Sequence, residues 1–163
     1  MVSPRLSRLD GHRRKFLAVI DETPECQRAV RYAGSRAKNS NGSVVLLYVI
    51  PNADFQQWLG VEEIMRAEAR EEAEAVLAKA AQALRESVGI EPETVIREGT
   101  PSEEINALID EDRDIAILVL AAGSSKEGPG PLVSSLASRS HAFPVPVTVI
   151  PEALSAEDLD ALS

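Results

Sequence analysis

The chain has 163 residues, 44% of them hydrophobic and 26% charged, with a formal net charge of -9. This is the balance of one globular domain long enough to bury a core without disulfides. The acidic total argues against a nucleic-acid binder, whose phosphate contacts need a basic face. The single cysteine, Cys26, excludes an intrachain disulfide, and with only His12 and His141 beside it no metal constellation is expected. No stretch is apolar for long enough to span a membrane, and the start lacks the apolar run of a signal peptide. The expectation is a cytoplasmic protein with no membrane contact.

Residues 1–14 carry Arg5, Arg8, Arg13 and Arg14 against Asp10 alone and read as a flexible basic arm. Phe16-Leu17-Ala18-Val19-Ile20 is a short apolar run, the mark of a strand covered on both faces. Asp21-Glu22-Thr23-Pro24 follows, with Thr23 expected to cap a helix and Pro24 to occupy its first turn. Ala29, Val30, Ala33 and Ala37 form that helix's core face, and Asn39 to Gly42 ends it. Cys26 falls in its first turns and reads as a small buried residue; a catalytic thiolate would need a base nearby.

Ser43 to Ile50 is a second buried strand, and the loop Pro51 to Gly60 holds Phe55, Trp58 and Leu59 as a hydrophobic anchor. A long helix from Val61 to about Val88 carries an apolar stripe of Ile64, Met65, Ala69, Ala73, Val76, Leu77, Ala80 and Leu84. Its acidic face (Glu68, Glu71, Glu72, Glu74) reads as solvated surface. Glu93 to Glu98 is a polar edge strand. Thr100, Pro101 and Glu103 read as cap, first helical residue and capping box of a third helix, buried through Ile105, Leu108 and Ile109. Ile115 to Leu120 is the most apolar strand. A helix from about Leu132 to Ala142 leads to a last strand, Val145 to Ile150. Residues 152–163 are an acidic tail in which Leu154, Leu159 and Leu162 offer a short amphipathic helix or a loose end.

Strands and helices alternate, so right-handed crossovers give a parallel sheet with helices on both faces. The chain reverses its direction of growth between the first and fourth strands. The loops after them, near Asp21 and Gly123, therefore face one crevice, where open α/β sheets bind ligands.

Four segments in this order resemble the universal stress protein family of the UspA type. They are Phe16 to Asp21; Leu46-Leu47-Tyr48-Val49; Glu98-Gly99-Thr100-Pro101-Ser102-Glu103-Glu104-Ile105; and Asp114 to Gly123 with its closing Pro144-Val145-Pro146-Val147-Thr148-Val149. The resemblance covers about Lys15 to Pro151, and residues 15–151 are expected to be the domain. It implies a single Rossmann-like α/β domain with a five-stranded parallel sheet, order 3-2-1-4-5, that forms a homodimer through its last strand. Val145, Val147, Val149 and Ile150 would lie at that interface.

The resemblance also implies a division between members that bind ATP and members that do not. In binders the adenosine end is held by residues matching Asp21 and the backbone of Val49. The phosphates lie in a G-x-x-G-(nine residues)-G-[S/T] loop beginning at Ala122 and Gly123. Here the second glycine position falls on Lys126, the terminal pair aligns with Val133-Ser134, and the loop is about three residues short. Glycine reaches the positive φ of a phosphate cradle without steric cost, whereas Val133 is β-branched and Pro129 and Pro131 each remove a donor. Lys126 and the hydroxyls of Ser124, Ser125, Ser134 and Ser135 work in the opposite direction.

The expectation is therefore a non-enzymatic stress-response protein with unknown protein partners, no assured cofactor and no catalytic residue. ATP with magnesium is the alternative ligand. An enzyme acting on an adenine nucleotide would have to use Asp21 or Glu127, and a sensor would take a different anion in the same crevice. His141 is assigned no catalytic part.

Overall fold

A computed structural model of the chain describes residues 3–21, 23–52, 62–123, 130–135 and 143–163. The elements run β1 (Lys15–Ile20), α1 (Cys26–Asn39), β2 (Ser43–Ile50), α2 (Glu62–Val88), β3 (Glu93–Glu98) and α3 (Pro101–Glu111). They continue with β4 (Ile115–Ala121), α4 (Pro131–Ser135), β5 (Val147–Ile150) and α5 (Ala156–Leu162). The strands make one five-stranded sheet in the order β3-β2-β1-β4-β5, with every pairing parallel. This is the expected α/β architecture.

Strand alternation divides the core into two layers. Phe16, Ala18 and Ile20 of β1 and Val44 and Leu46 of β2 point to the face covered by α1, α2 and α5. Leu17, Val45 and Leu47 point to the other, where Ile105, Leu108 and Ile109 of α3 meet Leu118 and Leu120 of β4. In β4 the alternation slips once: Lys15 pairs with Ile115, but Phe16 pairs with Ile117. The irregularity lets Ile115 and Leu118 share a face although three positions separate them.

Several local expectations are corrected. Thr23 does not cap α1, which begins at Cys26 after Glu25 and has no side-chain cap; the Asp21 carboxylate has captured Thr23 instead. Thr100 and Pro101 do open α3, yet no side-chain capping bond forms, so the capping box with Glu103 is absent. On α2 the expected stripe packs inward from Met65 to Leu84, with Ala81 added to it, but Ile64 is 59% exposed. β5 begins at Val147, two residues later than expected, although Leu118 N–H still donates to the Pro146 carbonyl at 2.9 Å.

Both ends of the chain touch the domain. Arg5 Nη1 donates to the carbonyls of Ile109, Asp112 and Ile115 at 2.6, 3.3 and 3.2 Å, satisfying acceptors where α3 ends. Leu6 N–H donates to the Arg113 carbonyl at 2.9 Å, and His12 Nδ1 meets Asp114 Oδ1 at 2.8 Å. At the other end α5 has a complete capping box between Ser155 and Asp158. It buries Leu159 in the α1 layer and joins α1 through Arg31 and Asp160, Nη2 to Oδ2 2.7 Å. Leu162 remains exposed.

Gly34 sets the contact between α1 and α2. A Cβ there would meet the Leu84 side chain and stand 3.1 Å from Val88 Cγ2. Gly34→Val is therefore expected to overpack the layer and lower stability by ~1–3 kcal/mol, read as a reduced urea midpoint. An unchanged midpoint would mean that the helices part without cost.

Candidate functional site

β1 is the centre of the sheet, pairing with β2 through Ile20↔Tyr48 and with β4 through Ala18↔Val119. Beyond those residues nothing continues the ladder between β1 and β4, and the two connections leave on different sides. The opening that results is a cavity of about 520 Å³. Asp21, Thr23, Glu25 and Cys26 wall one side, the end of β4 at Leu120, Ala121 and Gly123 another, and Gly130 to Ser134 the third.

Each wall has its own local cause. Asp21 Oδ1 accepts the Thr23 N–H at 2.8 Å and the Thr23 hydroxyl as well, an Asx turn that bends the chain from β1 toward α1. The Cys26 thiol donates to the Asp21 carbonyl, Sγ to O 3.4 Å, and ties the turn to the helix. Gly130 has φ 102, and no atom lies within 4 Å of where its Cβ would be. Conformation rather than crowding therefore favours glycine there. Ser134 N–H donates to the Gly130 carbonyl at 2.9 Å, closing the first turn of α4.

The site is acidic. Asp21 and Glu25 line it, and among the described residues no lysine or arginine does. Burial, chiefly, raises the Cys26 pKa; the nearby Asp21 and Glu25 charges act the same way, and only the bond to the Asp21 carbonyl opposes them. Cys26 is thus a neutral thiol at ordinary pH rather than a nucleophile. Among the described residues no group of His, Cys, Asp and Glu is gathered to hold a metal ion. No helix among them is long and apolar enough to cross a membrane.

Of the residues singled out from the sequence, Asp21, Gly123 and Ser134 line the cavity. Ala122 lies between two lining residues, but its N–H donates to the Ile150 carbonyl at 3.0 Å. Val49 is one strand away and does not line the cavity. Its backbone nevertheless faces that way: Gly99 N–H donates to the Ile50 carbonyl at 2.9 Å, so alternation turns the Val49 carbonyl toward β1, whose pairing with β2 ends at Tyr48. Lys126, Ser124, Ser125, Glu127 and Pro129 lie outside the described residues, as do Phe55, Trp58, Leu59 and His141. Glu25 and Cys26 were missed as lining residues because the segment after Asp21 reads as helix start, which hides that it also walls the crevice.

The residues expected at a dimer surface divide in two. Val145 and Ile150 are 6% and 2% exposed within the chain and belong to its own two core layers. Their side chains are therefore committed within the chain, and a part for them in a dimer remains a proposal. Val147 and Val149 are half-buried.

A larger groove, about 800 Å³, lies beside α1 and α2. We place the candidate site at the smaller cavity, because there two loops converge at the reversal of strand order with a positive-φ glycine between them.

The universal stress protein family model matches residues 12–151. No curated protein gives a significant match. Among solved structures, the universal stress protein UspA from Lactobacillus plantarum superposes with a TM-score of 0.70 at 19% identity, over 84% of this chain and 97% of that one. The universal stress protein from Archaeoglobus fulgidus in complex with dAMP has a TM-score of 0.60 at 19% identity, covering 84% and 97%. A universal stress protein in complex with cAMP has a TM-score of 0.58 at 19% identity, covering 84% and 95%. At such identities these structures speak for the fold, and the family model speaks for membership. The chain belongs to the universal stress protein family.

Proposed function

We propose that this is a non-enzymatic regulatory member of the family, a homodimer that acts through protein partners and does not hold ATP in the family's usual way. The observation that carries the reading is the sign of the crevice: Asp21 and Glu25 line it without a described cation to balance them. A triphosphate approaching there meets like charge inside a cleft, where repulsion is stronger than in bulk water. Val133 and Pro131 on the lining add bulk and remove an N–H where a phosphate cradle needs donors. The non-enzymatic reading is supported at Asp21 and at the Cys26 thiol, while Glu127, the other carboxylate weighed for nucleotide chemistry, lies outside the described residues. Asp21 Oδ1 is engaged by Thr23, and Cys26 keeps its proton, so neither is an activated nucleophile with a base beside it.

One observation favours a second reading. The related structures in complex with cAMP and dAMP carry nucleotides with a single phosphate, which would bring less charge into an acidic crevice. Gly130 and Ser134 are positioned to meet such a group. Calorimetric titration separates the two readings. Mg-ATP at millimolar concentration is expected to give no saturable heat; saturable binding that is weakened in Asp21→Ala overturns the main reading in favour of a nucleotide-gated protein. AMP binding alone would support the second, and ATP turnover above the Asp21→Ala control would overturn the non-enzymatic part.

The dimer is proposed on the outer edge of β5, which ends the sheet and has no strand beyond it among the described residues. Such an edge is a template for pairing with another chain. Val149 is the suitable probe, being half-buried on this edge strand. Val149→Lys is expected to sediment as monomer, and persistence of the dimer would move the interface elsewhere.

A further inference from the structure

The groove of about 800 Å³ beside α1 and α2 is separate in character from the crevice and has no part in the proposal above. Its size falls within the roughly 300–1,000 Å³ of small-molecule sites. Ile20, Val30, Val76, Ala80, Leu84 and Leu159 give it an apolar floor and walls. It exists because the Gly34–Leu84 contact brings the two helices together, while Ala80 and Ala83 on α2 present only methyl groups that do not fill the neighbouring space. α5 also contributes to the lining, through Ala156 and Leu159. That helix lies beyond residue 151, where the family match ends.

The charges on the groove are not equally committed. Arg31 is neutralised by Asp160, and Asp21 Oδ1 is occupied by Thr23. Glu72 is also engaged in an interaction of its own. Arg28 and Lys79, by contrast, form no ion pair among the described residues, and the Arg28 Nε is buried with no hydrogen-bond partner. That Nε has almost no accessible surface, so an anion in the groove would meet the outer guanidinium nitrogens of Arg28 instead. The guanidinium fork matches a carboxylate in two parallel bonds, and Lys79 adds a second positive charge at the exposed side.

We propose that this groove binds a small amphipathic monoanion, an apolar chain lying along the α1–α2 floor with its carboxylate at Arg28 and Lys79: the chemistry of a medium-chain fatty acid. A nucleotide is disfavoured here because the lining is apolar helix surface with no glycine loop to present backbone donors. The groove and the crevice share Asp21, Thr23 and Cys26. An occupant therefore bears on the same Asx turn that walls the crevice.

The test is calorimetric titration of the full chain with sodium dodecanoate below its micellar concentration, without nucleotide, and with dodecylammonium as the charge-reversed control. Saturable binding of dodecanoate, one per protomer, and none of dodecylammonium is the expected result. Arg28→Gln and Lys79→Gln together should weaken it by about tenfold or more, the loss of charge-assisted bonds. Ala83→Phe, at an exposed helix position, should abolish it by filling the groove while the unfolding midpoint is kept. No dodecanoate binding, equal binding of dodecylammonium, or binding unaffected by both Lys79→Gln and Ala83→Phe would each overturn the proposal. Because no nucleotide is present, failure of the crevice reading would leave this result intact.

Discussion

The rest of the structure depends on β1 being paired along both edges and covered on both faces. A strand so placed can present only apolar side chains, and Phe16, Leu17 and Ala18 are fully buried. Parallel neighbours on each side require crossovers on both faces, which divides the helices into the α1, α2, α5 layer and the α3 layer. The same arrangement leaves the carboxyl end of β1 uncovered, because its two neighbours feed connections to opposite sides. The crevice is thus a by-product of burying the central strand, and its existence says nothing about what it holds. That is decided by the few side chains at its rim.

On the proposed reading, the described side chains set the crevice apart from a phosphate cradle. A cradle gathers N–H donors and positive charge. Here Asp21 spends its carboxylate on shaping the turn, Ala122 spends its N–H on β5, and Glu25 adds a second acid. Cys26 is held neutral by its burial. In the proposed reading the hydrogen-bonded β1–α1 turn is part of a scaffold whose output is a surface rather than a reaction. The same turn is shared with the groove beside α1, so the two cavities are mechanically adjacent though chemically unlike.

The fold was legible because each strand is a short apolar run bounded by turn residues, and such a run has few other uses in a chain of this size. The strand order followed from the crossover rules together with the family resemblance. Local polar detail was less legible, for a physical reason. Thr23 has the chemistry to cap a helix or to close an Asx turn, and the nearby Asp21 carboxylate decides between them. Ile64 has the spacing of the α2 stripe, but it stands near the helix start, where it is left exposed. Ile150 reads as a residue of the last strand, and only the structure shows it packed with Leu159 and α1 in the core. The lining residues most legible in advance were those at the strand ends, Asp21 and Gly123, since the topology alone brings strand ends together, whereas Ser134 came from the resemblance. Glu25 and Cys26 were hidden because helix residues advertise a face and not a neighbour.

The claim on which the account turns is that the protein works as a dimer with an empty nucleotide crevice. Native mass spectrometry of the protein, purified quickly and without added nucleotide, tests it most directly. The mass of two chains with no nucleotide adduct is expected. A monomer, or a dimer carrying one nucleotide per chain, would contradict it.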